Sequence, residues 1–250
     1  MSHDRMPIDY ARLNDWDRPY DVYVPPETPQ YTGINVSFCR LPAVESPEDL
    51  LARKPDVAIM GAPLDDGVTY RPGARFGPRA IRQASYNHGG NSLQLGIQPF
   101  EFLDVVDTGD ANVTPASLGR GHAMIFRKVL EIASSGAVPI ILGGDHSITW
   151  PSASAVAQVR APKKIGIVHF DAHADTGSDD WGVLAGHGTP MRRLIESGAV
   201  EGRNFVQVGL RGYWPPPHVL GWMREHGMRW HLMREIEERG AEAVVDDAIS

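Results

Sequence analysis

Strand-length apolar runs alternating with segments of helical periodicity constrain this chain more than any other feature. Asp56 to Pro63 (DVAIMGAP), Phe100 to Val106, Val138 to Leu142, Ile165 to Phe170, Phe205 to Leu210 and Met228 to Leu232 read as strands. Helices are expected from about Pro78 to Ser85, from Pro151 to Val159, from Thr189-Pro190 to near Gly198, and from Pro217 to His226. Another begins at the cap pair Thr114-Pro115, carries Leu118, His122, Ile125, Phe126, Val129, Ile132 and Ala133 at helical spacing, and stops at Gly136. Strands that are apolar on both faces and separated by helices imply an α/β fold whose parallel sheet is covered on both sides. The proline- and aromatic-rich residues 1–50 read as an irregular arm, and residues 51–250 as the α/β domain.

Composition narrows the function classes. A formal charge of −7 argues against a nucleic-acid partner, which calls for a basic footprint. Cys39 is the only cysteine, so neither an intrachain disulfide nor a thiolate zinc cluster can form. The opening MSHDRMPIDYARLND has no apolar core of a secretory signal. Nothing approaches the ~18 consecutive apolar residues of a membrane span. The expectation is a cytoplasmic protein that engages no membrane.

Chemistry concentrates where two of the strands end. Asp171, His173 and Asp175 occupy alternate positions in HFDAHADT, directly after the run from Ile165. Residues two apart on an extended chain point to the same side, and Asp175 joins them if the strand persists or the loop curls back. The run Val138 to Leu142 ends in GGDHS, which puts His146 in an equivalent place. Ligand sites of open parallel sheets lie outside the carboxyl ends of strands. Imidazole and carboxylate without thiolate suit manganese, zinc or iron better than calcium. His187, in AGHGTPM, closes the loop after the cluster; it is either a proton carrier or a cap on the helix at Thr189. His122 reads as a core or partner-contact residue and His169 as structural or supporting, whereas His88, His218, His226 and His231 have no supporting neighbours. In GVTYRPGARFGPRAIR, Arg71, Arg75 and Arg79 read first as partners of acids elsewhere, and the loop itself as a wall of the pocket.

GGDHS, HFDAHADT and GVTYRPGARFGPRAI together resemble the ureohydrolase (arginase/agmatinase) family, in its agmatinase-like branch. The resemblance implies a three-layer α/β/α sandwich with a mostly parallel sheet, two Mn²⁺ ions, and a homo-oligomer. It implies hydrolysis of a small cationic guanidino substrate, agmatine first, to urea and an amine by a metal-bridging hydroxide. By position, His146 and Asp175 would hold one manganese and His173 the other, with Asp171 bridging them. His187 would be a proton shuttle or substrate contact, and the loop Gly177 to Gly186 would line the specificity end of the pocket. The family's third motif, Ser-x-Asp-x-Asp-x-x-Asp-Pro, does not occur, and the sequence stops at AVVDDAIS. The family's last two strands lie mid-sheet, so the chain is expected to be a truncated portion of a longer protein. Two strand edges would then be exposed and His146 separated from the DAHAD cluster. A binuclear metallophosphoesterase and a non-catalytic ureohydrolase-like chain are the alternatives; the order of D-x-H after GGDH disfavours the phosphoesterase.

Overall fold

A computed structural model of the protein describes residues 37–85 and 91–250. Positions 1–36 of the expected arm, and His88, lie outside the described residues. The described residues divide into two compact units, one formed by those up to Pro63 together with those between Pro78 and Leu142, the other by Leu64–Gly77 and Gly143–Ser250. No described helix is long and apolar enough to cross a membrane.

The first unit contains helix α1 (Pro47–Arg53), strand β1 (Val57–Ala62), helix α2 (Gly77–Ser85), strand β2 (Val105–Asp110), helix α3 (Leu118–Ser134) and strand β3 (Val138–Gly143). Ser46 starts α1 by accepting the Asp49 N–H at 3.1 Å. The sheet order is β2-β1-β3, and β1 runs parallel to β2 with Val57 opposite Val105. The outer edge of β2 is covered by the 42–44 segment, whose Ala43 bridges to Asp107.

Two boundaries differ from expectation. The second strand begins at Val105 rather than Phe100 and continues to Asp110, because Pro99–Glu101 winds into a 3-10 turn. Helix α3 begins at Leu118 behind Ser117, since Ala116 takes a left-handed φ of 61° that a helix starting at Thr114-Pro115 could not contain. The strand was misplaced because its second half, DTGD, is polar yet wholly buried.

Ion pairing explains that burial. Arg82 of α2 donates through Nε and Nη2 to the two oxygens of Asp107, at 2.8 and 2.9 Å, and through Nη1 to Asp110 Oδ1 at 2.5 Å. Lys128 Nζ caps the Thr108 and Asp110 carbonyls at 2.6 and 3.1 Å. Burial raises the Asp110 carboxyl and lowers the Lys128 ammonium to about 8. Burial also acts against the Arg82 charge, but its bonds to Asp107 and Asp110 outweigh it and raise the guanidinium. Such a cluster stabilises only while complete, because removing one member strands a buried charge at about 3–5 kcal/mol.

The second unit holds helix α4 (Thr149–Arg160), strand β4 (Ile167–Phe170), helix α5 (Pro190–Glu196), strand β5 (Phe205–Leu210), helix α6 (Pro217–Glu225), strand β6 (Arg229–Leu232) and helices α7 (Met233–Arg239) and α8 (Ala241–Ile249). Its sheet runs β4-β5-β6, all parallel. Val206 and Val208, on one face of β5, pack under Val244 and Ala248 of α8 and Ile236 of α7. The opposite face of β5 carries Gln207, fully buried, toward the loop after β4. The fold class is therefore α/β with parallel strands, as expected. The strands form two three-stranded sheets, with β3 and β4 each at an edge.

One expectation is overturned: His146 is not separated from DAHAD. The chain passes into the second unit at Gly143, so GGDHS travels with the DAHAD loop. Helix α4 packs on α5, and α5 also touches the 3-10 turn His146–Ile148. That packing, with the Asp145 N–H bonded to Leu64 O at 2.7 Å, holds the His146 turn beside the loop.

Two outcomes test this account. A Cβ on Gly61 would lie 1.8 Å from Asp110 Oδ1, the oxygen that receives Arg82. Gly61→Ala should therefore lower the urea-denaturation stability by about 3 kcal/mol, and adding it to Asp110→Ala should cost little more than Asp110→Ala alone. His122 is 1% exposed, and burial lowers its pKa from 6.5 to about 3. The unfolded chain takes up that proton below pH 6.5 and the folded chain does not, so stability is lost as pH falls from 6.5 toward 3. Denaturation at pH 5 should show about 2 kcal/mol less stability than at pH 7 from this residue, a slope that His122→Met removes.

Candidate metal centre

The DAHAD segment starts where β4 ends and is pinned to β5. The Asp171 N–H donates to Val208 O at 3.1 Å, and Arg211 N–H donates to Ala172 O at 2.9 Å. Asp175 then turns the chain with a left-handed φ of 48°, a conformation aspartate tolerates better than most residues. Its carbonyl receives the Met191 N–H at the start of α5, at 3.1 Å. The loop thus curls back, the second of the two routes open to it in sequence.

This path gathers the acids and imidazoles. His146 Nδ1 touches Asp175 Oδ2 directly and lies 3.9 Å from Asp171 Oδ2. His173 Nδ1 lies 3.9 Å from the other Asp171 oxygen, Oδ1, with most of its side chain exposed. One carboxylate therefore faces a different imidazole with each oxygen, an arrangement suited to spanning two cations. Burial works against a charged His146, but Asp175, Asp171 and Asp145 prevail and raise it. Burial would raise Asp171, yet the His173 N–H and the His169 and His146 rings hold it below the usual carboxylate range.

His169 joins the cluster more closely than sequence suggested. Donor atoms of His146, His169 and Asp171 all fall within 4.8 Å of one another. The His169 ring stacks on His146 with centroids 4.9 Å apart, and burial lowers its pKa. Its hydrogen bonds favour a supporting role. His169 and Gln207 are register partners across β4 and β5. Gln207 Nε2 donates to Ala174 O at 2.6 Å and lies 2.9 Å from His169 Nδ1. That makes Nδ1 the acceptor and leaves Nε2–H to donate to Asp171 Oδ2 at 3.2 Å. A histidine hydrogen-bonded in this way would orient the Asp171 carboxylate as a ligand while its own two nitrogens are already engaged.

Asp145 is the residue sequence reasoning missed. It is buried, and its oxygens accept the Ser147 N–H at 2.7 Å and the Gly67 N–H at 2.9 Å. Burial raises its pKa against these bonds. The available signal was the Asp-His-Ser spacing, an acid that caps its own turn two residues on. His187 hydrogen-bonds Thr69 and Gly67 rather than any of the four candidate ligands. Arg75 pairs with Asp65 and Asp66, the reading preferred from sequence, while Arg71 stacks over Tyr70.

Imidazole nitrogens and carboxylate oxygens converging without thiolate match a borderline or hard divalent ion, so the residues present fit the metal the resemblance implied. Fold and site together define a parallel α/β protein with a cluster of carboxylates and imidazoles at a strand end whose donors suit a divalent metal. The arginase family model matches residues 55–250, and the chain belongs to that family. It is 41% identical over 204 residues to the mitochondrial agmatinase of Gallus gallus, covering 80% of this chain and 58% of that protein. The solved structure of proclavaminate amidino hydrolase from Streptomyces clavuligerus superposes with a TM-score of 0.77 at 35% identity, over 88% of this chain and 71% of that one. Formiminoglutamase of Trypanosoma cruzi, solved with Mn²⁺, gives 0.71 at 28% identity, over 82% of this chain and 67% of that one. The chain spans little more than half the length of the chicken relative.

Divalent-ion titration should separate the two kinds of residue. Asp171→Ala should abolish saturable Mn²⁺ binding, whereas Gln207→Leu, which frees the His169 ring, should weaken it about tenfold.

Proposed function

We propose that the chain carries the metal centre of a guanidine hydrolase that releases urea, with agmatine the first candidate substrate. The observation that supports this most directly is the Asp171 carboxylate, set between His146 on one oxygen and His173 on the other. The similarity to an agmatinase and to an amidino hydrolase supports the substrate class. Two Mn²⁺ ions are the proposed cofactors, consistent with the donor set and with the Mn²⁺ in the trypanosomal relative.

A guanidinium carbon is a poor electrophile because its positive charge is spread over three nitrogens. Bound divalent metal would supply the needed nucleophile by lowering the pKa of a coordinated water. The protein's share is positioning and proton handling. His146, Asp175 and His173 would join Asp171 as ligands, and His169 keeps the Asp171 carboxylate from rotating. His187 is the proposed proton carrier to the departing amine, which cannot leave as an anion at neutral pH. The loop Gly177 to Gly186 frames the outer part of the pocket. Asp180, whose Oδ2 accepts the Gly188 N–H at 2.9 Å, ties that loop to the segment bearing His187.

Urea release assayed over a panel of agmatine, 4-guanidinobutyrate and other guanidines, with Mn²⁺ present, tests the reading. Agmatine should turn over fastest and chelation should stop the reaction. His146→Ala and Asp171→Asn should each lower kcat about a thousandfold. Undiminished urea production by both variants, or phosphate-ester turnover in place of urea, would end it.

A further inference from the structure

His187 is gripped at two points, and both grips come from residues 67–69. Its backbone N–H donates to Gly67 O at 3.0 Å, and its ring Nε2 lies 2.9 Å from Thr69 Oγ1. Gly67 also donates its own N–H to Asp145, so one residue joins the GGDHS turn to the His187 loop. A Cβ at Gly67 would sit 3.0 Å from Ser147 Oγ and 3.1 Å from both Asp145 oxygens, closer than an ordinary contact. Downstream, Asp65 accepts the Gly73 N–H at 2.6 Å and pairs with Arg75, so the segment bearing Thr69 is held on both sides. A partly buried imidazole in a loop has broad torsional freedom about χ2; here a hydroxyl on a clamped segment removes it.

We infer that Thr69 is the positioning residue for His187: its hydroxyl holds Nε2 and leaves Nδ1 as the ring nitrogen that serves the reaction. This rests on the reading of His187 as proton carrier. A threonine hydroxyl suits the task because it can accept from Nε2–H or rotate and donate to a bare Nε2. The ring then keeps one orientation while a proton is gained or lost at Nδ1. Among the described residues, the Thr69 hydroxyl bonds the His187 ring and none of the candidate metal ligands. Its effect passes through the ring alone.

The prediction separates from that of the proposed function. Nitrogen-15 NMR of the histidine rings reports tautomer and hydrogen bonding directly, with the His187 signals identified by their loss in His187→Asn. Thr69→Val keeps the side chain's shape and removes the hydroxyl; it should move the His187 ring signals and lower kcat about a hundredfold with KM near its original value. Thr69→Ser should restore both, and Thr69→Ala repeats the test should valine disturb the loop. Unchanged ring signals in Thr69→Val and Thr69→Ala would overturn the inference, as would a change in KM alone. Should the wild-type chain release urea from no guanidine, the proposed function fails, and the ring signals still decide what Thr69 does.

Discussion

The arrangement depends on one buried carboxylate. Asp145 lies between the turn that carries His146 and the loop that reaches His187, and receives a backbone N–H from each side. An acid taken out of water is costly unless its oxygens find donors, so the two amides are held where the acid requires them. Proton transfer and nucleophilic attack tolerate misplacements of only about 1 Å. A donor-filled anion beside the ligand turn is one way to reach that tolerance with loops alone.

The same logic appears in the first unit at a larger scale. There Arg82 gathers Asp107 and Asp110 beneath α2, and Gly61 leaves room for the Asp110 carboxylate because a methyl group would occupy its position. These charges fix the register of β2 against its neighbours, since a slip of one residue would turn both acids away from the guanidinium. Ionic groups thus specify geometry in both units, while Val206, Val208, Val244 and Ala248 supply apolar burial in the second.

Much of this was legible in the sequence, and the exceptions share a cause. Strands β1, β3, β4 and β5 were visible because their apolar runs are continuous. Strand β2 was misplaced because DTGD looks like a turn until its acids meet Arg82, a partner about 25 positions away in sequence. His146, Asp171, His173 and Asp175 were identifiable by residue type and position at strand ends. That His146 stays beside them was not, because reasoning from sheet order overlooked the contact between α4 and α5. His169 read as structural, and its tautomer becomes interpretable only with Gln207 opposite it on the neighbouring strand. Thr69 carries no signal of rank in a single sequence, and Asp145 only its spacing to Ser147; their roles emerge in the hydrogen bonds they close.

The outermost strands β3 and β4 end their sheets with oily side chains facing water: Val138 and Ile140 on one, Val168 and Phe170, itself 63% exposed, on the other. Backbone groups along such a rim remain open templates for any extended peptide, and natural proteins usually blunt them with lysine, proline or a bulge. Neither rim carries such a guard apart from Pro139. An extended segment of another chain would find its backbone partners along these two margins.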